Sequence, residues 1–151
     1  MDKILSAGTI YELSEEASTK DTLQADAATA TFVDITCAIS SMSFEETERE
    51  QIDTTSLCDT DTKSYIDGLK DQDTASADGF YTPSSDEAIF LQAAADSKEN
   101  RILRTTYNDG VVVLRLARLQ PFGANVSVGD AVKTTFNFKL TGAKVITQPT
   151  P

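Results

Sequence analysis

The side chains of this sequence that could do chemistry are mostly carboxylates. The 151 residues include 24 Asp and Glu, 13 Lys and Arg and no histidine, which gives a net charge of −11. Histidine is the usual general base near neutral pH and the commonest metal ligand, so its absence disfavours many catalytic mechanisms. Glycosidases work with a pair of carboxylates, but such pairs arise by chance among so many acidic residues.

Three aspartates, Asp59, Asp61 and Asp67, invite interpretation as calcium ligands. They lack the glycine and the terminal glutamate that complete an EF-hand loop. We interpret them as part of a solvated acidic loop and predict no metal site and no cofactor. Motifs for a serine nucleophile, a phosphate-binding loop or a dinucleotide-binding loop are also missing from the sequence, so we predict that the protein is not an enzyme.

The two cysteines and the N-terminus bear on the cellular compartment. No long apolar stretch follows Met1, and no run of about 18 apolar residues that could cross a membrane occurs in the sequence. We therefore expect synthesis in a reducing cytoplasm, with Cys37 and Cys58 as free thiols. The acidic balance predicts that the protein does not grip DNA, because that affinity comes from Lys and Arg displacing counterions from phosphates.

Hydrophobic periodicity predicts mostly strands. Val33, Ile35, Cys37 and Ile39 alternate with wetter residues, which indicates a strand with Cys37 buried. Asn108-Asp109-Gly110 predicts a hairpin turn between two further strands. The cleanest alternation runs over residues 132–140; we expect Gly142 to end that strand and a short final strand to follow over residues 145–146. Residues 101–147 thus form a group of C-terminal strands.

One helix is predicted, over Asp86–Ser97. Pro83 breaks the chain before it, and Ser84 with Glu87 fits a capping box. Apolar residues recur at helical spacing within it, so the helix must lie on a sheet to bury them. The composition and length fit a single domain spanning residues 1–151 with a mainly β fold, a two-sheet antiparallel sandwich or barrel with one flanking helix.

Two segments lack the apolar residues of an ordinary core element. Residues 73–81 form a weak strand, which suggests completion by another subunit. Residues 41–70 carry many carboxylates and few apolar side chains, so they cannot order themselves by burial alone. Loops of this length inside a compact domain are usually functional, and we expect this loop to become ordered when it meets a partner. Residues 1–30 contain a short strand followed by a polar, Ala- and Thr-rich N-terminal arm.

Several short patterns together resemble the major tail tube proteins of long-tailed bacteriophages. They span nearly the whole chain in order, apart from residues 22–31, which have no counterpart in the resemblance. The patterns are Gly8-Thr9-Ile10, Ile39-Ser40-Ser41-Met42-Ser43, Glu50-Gln51-Ile52-Asp53-Thr54-Thr55-Ser56-Leu57, Tyr65-Ile66-Asp67-Gly68-Leu69-Lys70-Asp71 and Leu140-Thr141-Gly142-Ala143.

The resemblance implies a structural subunit of a virion tail, assembled in the host cytoplasm. Hexameric rings would stack around a negatively charged channel through which DNA passes without specific binding. The implied partners are further copies of the chain, a tape measure protein inside the tube, tail initiator or baseplate proteins and a tail terminator, with no membrane. Loop 41–70 would reach an adjacent ring. The candidate contact residues are Phe44, Glu45, Glu46, Glu48, Arg49, Ile52, Leu57, Tyr65 and Leu69.

Two other interpretations remain open at this point. A tail terminator, a baseplate ring or a secretion-system tube protein would share the architecture, and would differ in how far rings stack. A monomeric β-sandwich that binds a ligand would stay monomeric at high concentration and expose an aromatic cluster.

Overall fold

The computed structural model describes residues 8–58, 62–67, 72–129 and 131–148. Within these ranges the chain forms nine strands, two α-helices and one 3-10 turn over Thr36–Ala38. The strands are β1 (Ile10–Ala17), β2 (Phe32–Asp34), β3 (Ile39–Glu45), β4 (Gln51–Asp53), β5 (Tyr65–Asp67), β6 (Asp73–Phe80), β7 (Arg101–Thr106), β8 (Val112–Leu119) and β9 (Lys133–Thr147). The helices are α1 (Leu23–Thr29) and α2 (Asp86–Ser97). The prediction of a mainly β chain is confirmed.

Seven strands form one antiparallel sheet in the order β2-β1-β7-β8-β9-β6-β3. The two edge strands are almost consecutive in the chain, since only residues 35–38 separate β2 from β3. A flat sheet of this size would be about 29 Å wide, whereas a connection this short bridges at most ~18 Å. The sheet must therefore curl until its edges approach each other. The two layers of the predicted sandwich are parts of this one curled sheet.

The inner face of the curled sheet carries the main core. Phe136 and Phe138 of β9 point inward, with exposures of 2% and 1%, and the residues that alternate with them from Lys133 to Lys139 are exposed. Leu103 of β7 and Leu13 of β1 face them from the other layer, and Leu91 of α2 joins the same cluster. This alternation is the one that the sequence predicts for β9, and it gives the strand one buried and one wet face.

A second, smaller core lies on the outer face of β7 and β8. Leu23 of α1 packs there against Ile102, Leu114 and Leu116. Strand β8 is therefore covered on both faces, which explains why its sequence is apolar at successive positions. Helix α1 was not predicted: residues 23–29 fall in the segment that we expected to be a polar N-terminal arm. The helix has no side-chain cap and depends on this packing.

Helix α2 has the predicted limits, with its N-cap displaced by one residue. Ser85, rather than Ser84, is the N-cap, and its Oγ accepts a hydrogen bond from the backbone N–H of Ala88 at 3.2 Å. Asp86 and Glu87 occupy the first turn, where negative charge favours the helix. Lys98 ends the helix in a left-handed conformation with φ 58°.

Two strand predictions were wrong in detail. The expected strand through Cys37 is interrupted by the 3-10 turn, because the chain crosses there from one sheet edge to the other, and Cys37 is exposed. Gly142 does not end β9: the strand continues to Thr147, and Gly142 adopts a φ of 75° within it. The pairing of β9 with β8 shifts register on this stretch, so Gly142 accommodates an irregularity rather than a stop.

Strand β6 needs no other subunit to complete it, contrary to our expectation. It pairs with β3 on one side and with β9 on the other. Its inward residues are small, namely Ala75, Ala77 and Gly79, since the large rings of β9 and β3 fill the space beside them.

Gly79 provides a stability test of this close packing. A Cβ atom added at Gly79 would lie 2.0 Å from the backbone oxygen of Ala38. We expect Gly79→Ala to destabilise the monomer by about 1–3 kcal/mol, because the backbone would have to move apart. The matched control is Gly123→Ala, where an added Cβ meets nothing within 4 Å. Urea unfolding of both variants measures the difference, and equal midpoints would contradict the close approach.

Candidate assembly surfaces

The long acidic loop begins later than the sequence suggested. β3 continues to Glu45, which pairs with Thr74 of β6, so residues 41–45 belong to the sheet. Phe44 is partly buried against the main core, and Glu45 is exposed at the strand end. The excursion between β3 and β6 is therefore residues 46–72, which we call the arm. Leu69 lies outside the described residues.

The described part of the arm contains a hairpin that stands apart from the main sheet. β4 and β5 pair only with each other, with Ile52 opposite Ile66. Ile52, Tyr65 and Ile66 have exposures of 44%, 50% and 55%, and Leu57 at the turn is fully exposed. An isolated two-stranded hairpin is marginally stable in water. Ile52 and Ile66 share one face of the hairpin and Tyr65 lies on the other, so both faces offer apolar side chains to a partner.

Polar contacts close this hairpin. Gln51 Nε2 donates to Asp67 Oδ1 at 2.6 Å. The backbone N–H of Thr55 donates to Asp53 Oδ1 at 2.9 Å. Hydrogen bonds from the side chain and backbone of Thr55 lower the pKa of the Asp53 carboxyl. The aspartates of the arm that the structure describes thus have local roles. Asp59 and Asp61 lie outside the described residues, and within those described no group of three or more metal-ligating side chains forms a site.

The base of the arm is held by contacts with β9 and β6. Glu46 Oε1 accepts from Lys144 Nζ at 2.6 Å. Thr47 donates through its backbone N–H to Asp73 Oδ1 at 2.9 Å. Glu48 and Arg49 follow with exposed side chains. The predicted contact residues thus divide between the sheet end, a tethered base and a projecting hairpin.

Within the described chain, the main sheet has unpaired edges at β2, which pairs only with β1, at β3 and at the end of β9. β3 is the last strand of the sheet and pairs on one side only, with β6. β9 pairs with β6 as far as Leu140, and beyond it only with β8. Unpaired strand edges are templates for pairing with another chain.

The outer face of β3, β6 and β9 is uncovered and polar. Ser43, Ser76 and Asn137 lie side by side across the three strands. Thr135 Oγ1 donates to Asp78 Oδ1 at 3.1 Å, and Lys133 and Lys139 are exposed on the same face of β9. This face carries charges of both signs.

Sequence reasoning missed Arg115, a buried cation on the inner face of β8. It is 9% exposed, and its guanidinium carbon lies 3.7 Å from the centre of the Phe44 ring. Burial raises the pKa of the nearby Tyr11 hydroxyl, an effect that the charge of Arg115 opposes. The sequence contains a weak signal, since Arg115 stands between Val113 and Ala117 on the core-facing side of a strand.

Cys37 and Cys58 are both free and exposed. None of the helices in the described ranges is long and apolar enough to cross a membrane.

Comparison with known proteins identifies the fold. Neither a protein-family model nor a curated protein matches the sequence. Solved structures do match. The SPP1 tail tube protein aligns over 97% of this chain and 80% of its own, with a TM-score of 0.67 and 12% identity. The tail of an empty gene transfer agent particle, determined with C6 symmetry, aligns over 91% and 94%, with a TM-score of 0.64 and 13% identity. The chain has the tail tube fold.

The tail tube fold also occurs in solved structures of a tube-terminating cap and of a baseplate. The tube-terminating cap of the anti-feeding prophage aligns over 99% of this chain and 93% of its own, with a TM-score of 0.62 and 9% identity. The fold implied by the sequence resemblance is therefore confirmed. A tube subunit and a terminator have this fold in common, so surfaces rather than architecture must distinguish them.

Proposed function

We propose that this chain is a structural, non-enzymatic subunit of a phage-type tail tube, which forms hexameric rings that stack. The observation that carries the proposal is the projecting arm. A tail tube fold accounts for most of the described chain. Among the described residues, the hairpin of the arm exposes Ile52, Tyr65 and Ile66 and pairs with no strand of the main sheet. Burying such side chains against another subunit releases free energy that the monomer cannot gain.

The unpaired strand edges support ring formation. A contact between two different surfaces of identical subunits closes into a ring if the rotation closes, and contacts between rings then extend a filament. The free edge of β3 and the free stretch of β9 beyond Leu140 lie on different parts of the sheet. They offer two dissimilar edges, as a head-to-tail ring requires. The arm then reaches an adjacent ring.

The channel of such a tube would carry DNA without binding it. The chain has a net charge of −11, and copies around a ring add their potentials, so phosphates are repelled. On the polar face, Lys133 and Lys139 balance Glu45 and Asp78. A negatively charged wall therefore requires carboxylates from outside this face.

The other proposed partners follow from a place in the virion tail. A tape measure protein would occupy the channel during assembly, an initiator or baseplate would start the tube, and a terminator would end it. Assembly would take place in the host cytoplasm.

A terminator or baseplate ring is the second candidate, because proteins from a tube-terminating cap and from a baseplate assembly share the fold. Negative-stain electron microscopy of the purified chain distinguishes the two. We expect hollow tubes of uniform diameter, formed spontaneously or after addition of tail initiators. Single or double rings at every concentration would indicate a terminator or baseplate role. Monomers alone, with initiators present, would contradict both.

A further inference from the structure

A pocket of about 470 Å³ opens at one end of the curled sheet, beside the base of the arm. Phe44, Leu116 and Leu140 give it apolar walls, and its lining also includes the cations Arg49, Arg115 and Lys144. A smaller hollow of about 260 Å³ shares Arg115 and Lys144 with it and is lined by Val111 and Ile146. The two hollows together make a groove that is mostly apolar with a buried guanidinium in its floor.

Arg115 spans the interior between the two layers. Its backbone lies in β8, opposite Leu103 of β7, and its guanidinium stacks on Phe44 of β3. In the sheet, β9 and β6 separate β8 from β3. Its Nη1 atom is buried and has no hydrogen-bond partner among the residues that the structure describes. A guanidinium has only donors and no acceptor, so this buried nitrogen needs an acceptor from another group. The contact with the ring face offsets only part of its lost hydration.

Three carboxylates line the pocket, those of Glu45, Glu46 and Asp73, and two of them have partners within the subunit. Glu46 pairs with Lys144 at 2.6 Å, and Asp73 Oδ1 accepts from the backbone N–H of Thr47 at 2.9 Å and from its hydroxyl at 3.3 Å. A buried cation with an unused donor is costly unless an anion is supplied. The unused donor of Arg115 therefore favours an incoming carboxylate.

We propose that Arg115 receives a carboxylate from the arm of a second copy of this chain. This inference rests on the proposed function and names the receiving site for the contact between subunits. The arm has the complementary chemistry: Glu48 and Glu50 are exposed, and the exposed Ile52 follows them closely. The groove offers the matching cation with exposed Ile146 beside it. Each subunit then gives one arm and receives another, a head-to-tail contact.

Replacing the guanidinium separates this role from a structural one. Arg115→Met removes a buried cation that has no partner for Nη1 in the free subunit, so the monomer should unfold at the same urea concentration as the wild type or a higher one. Assembly should require about 30-fold more protein, because one partner of a buried charge pair is lost. Arg118→Met is the matched control, since Arg118 lies on the opposite face of the same strand and is only partly buried.

Light scattering gives the concentration at which tubes form, and urea unfolding at low concentration gives monomer stability. Tubes of Arg115→Met at the wild-type concentration would overturn the inference and leave the proposed function standing. Failure of the wild type to assemble under any trigger would overturn both. A clear loss of monomer stability in Arg115→Met would show that the cation is satisfied within the subunit, which also contradicts the inference.

Cross-linking identifies the carboxylate directly. Arg115→Lys places a primary amine in the pocket, which a carbodiimide joins to an adjacent carboxylate. Tubes grown from a mixture of ¹⁴N- and ¹⁵N-labelled subunits distinguish links between chains from links within one. We expect mixed-label peptides that join the introduced amine to Glu48 or Glu50. Links confined to Glu46 or Asp73 of the same chain would overturn the proposal.

Discussion

Replacing residues 48–71 with a short Gly-Ser linker should leave a folded monomer that no longer forms tubes. β3 and β6 are direct antiparallel partners, with Glu45 opposite Thr74, so a short turn can connect them. The linker variant keeps Phe44, which packs on the core and on Arg115, and it keeps Glu46 and Thr47, which fasten the base of the arm. It removes the hairpin with its exposed apolar side chains.

Circular dichroism and urea unfolding measure the fold of the linker variant, and electron microscopy measures its assembly. We expect the free energy of unfolding to stay within about 1 kcal/mol of the wild type, since shortening a surface loop changes closure entropy only slightly. Tubes should be absent at concentrations where the wild type polymerises. Loss of the β signal would mean that the arm is part of the monomer core, and normal tubes would mean that it is not an interface.

Of the substitutions proposed, Phe136→Ala should lower the free energy of unfolding most, by about 3–5 kcal/mol. The ring is 2% exposed and meets Phe122 edge to face, with ring centres 4.8 Å apart. Truncation leaves a cavity between the layers that Ala77, its small neighbour on β6, cannot fill. This loss approaches the whole stability of many single domains, so the variant would also lose assembly at physiological temperature.

Phe80→Ala is the control for this substitution. Phe80 is 46% exposed and lies on the opposite face of β6, beside Lys133. We expect a change within about 0.5 kcal/mol, as for other surface positions. Urea unfolding with unchanged m values gives both numbers. A large effect at Phe80 together with a small one at Phe136 would mean that the two faces of the sheet are assigned the wrong way round.

The sequence determined the elements whose signals are local. Pro83 and the hydroxyl residues after it break the chain before α2, and the helix has the predicted limits. Asn108-Asp109-Gly110 forms the predicted turn, with Gly110 at φ 93°. The alternation in β9 predicted which of its residues are buried, because a strand has a period of two whatever its neighbours are.

Other features depend on contacts between residues that are distant in sequence, and only the tertiary structure shows them. The 3-10 turn that exposes Cys37 exists because the two edges of one sheet are neighbours in sequence, and no local pattern encodes that closure. Helix α1 is stabilised where Leu23 packs against Ile102, a residue far from it in the sequence. Arg115 is buried because β8 and β3 face each other across the core, and only that arrangement places its guanidinium on Phe44. Local free energies set the periods of the elements, whereas contacts between distant residues set burial and the positions of unpaired charges.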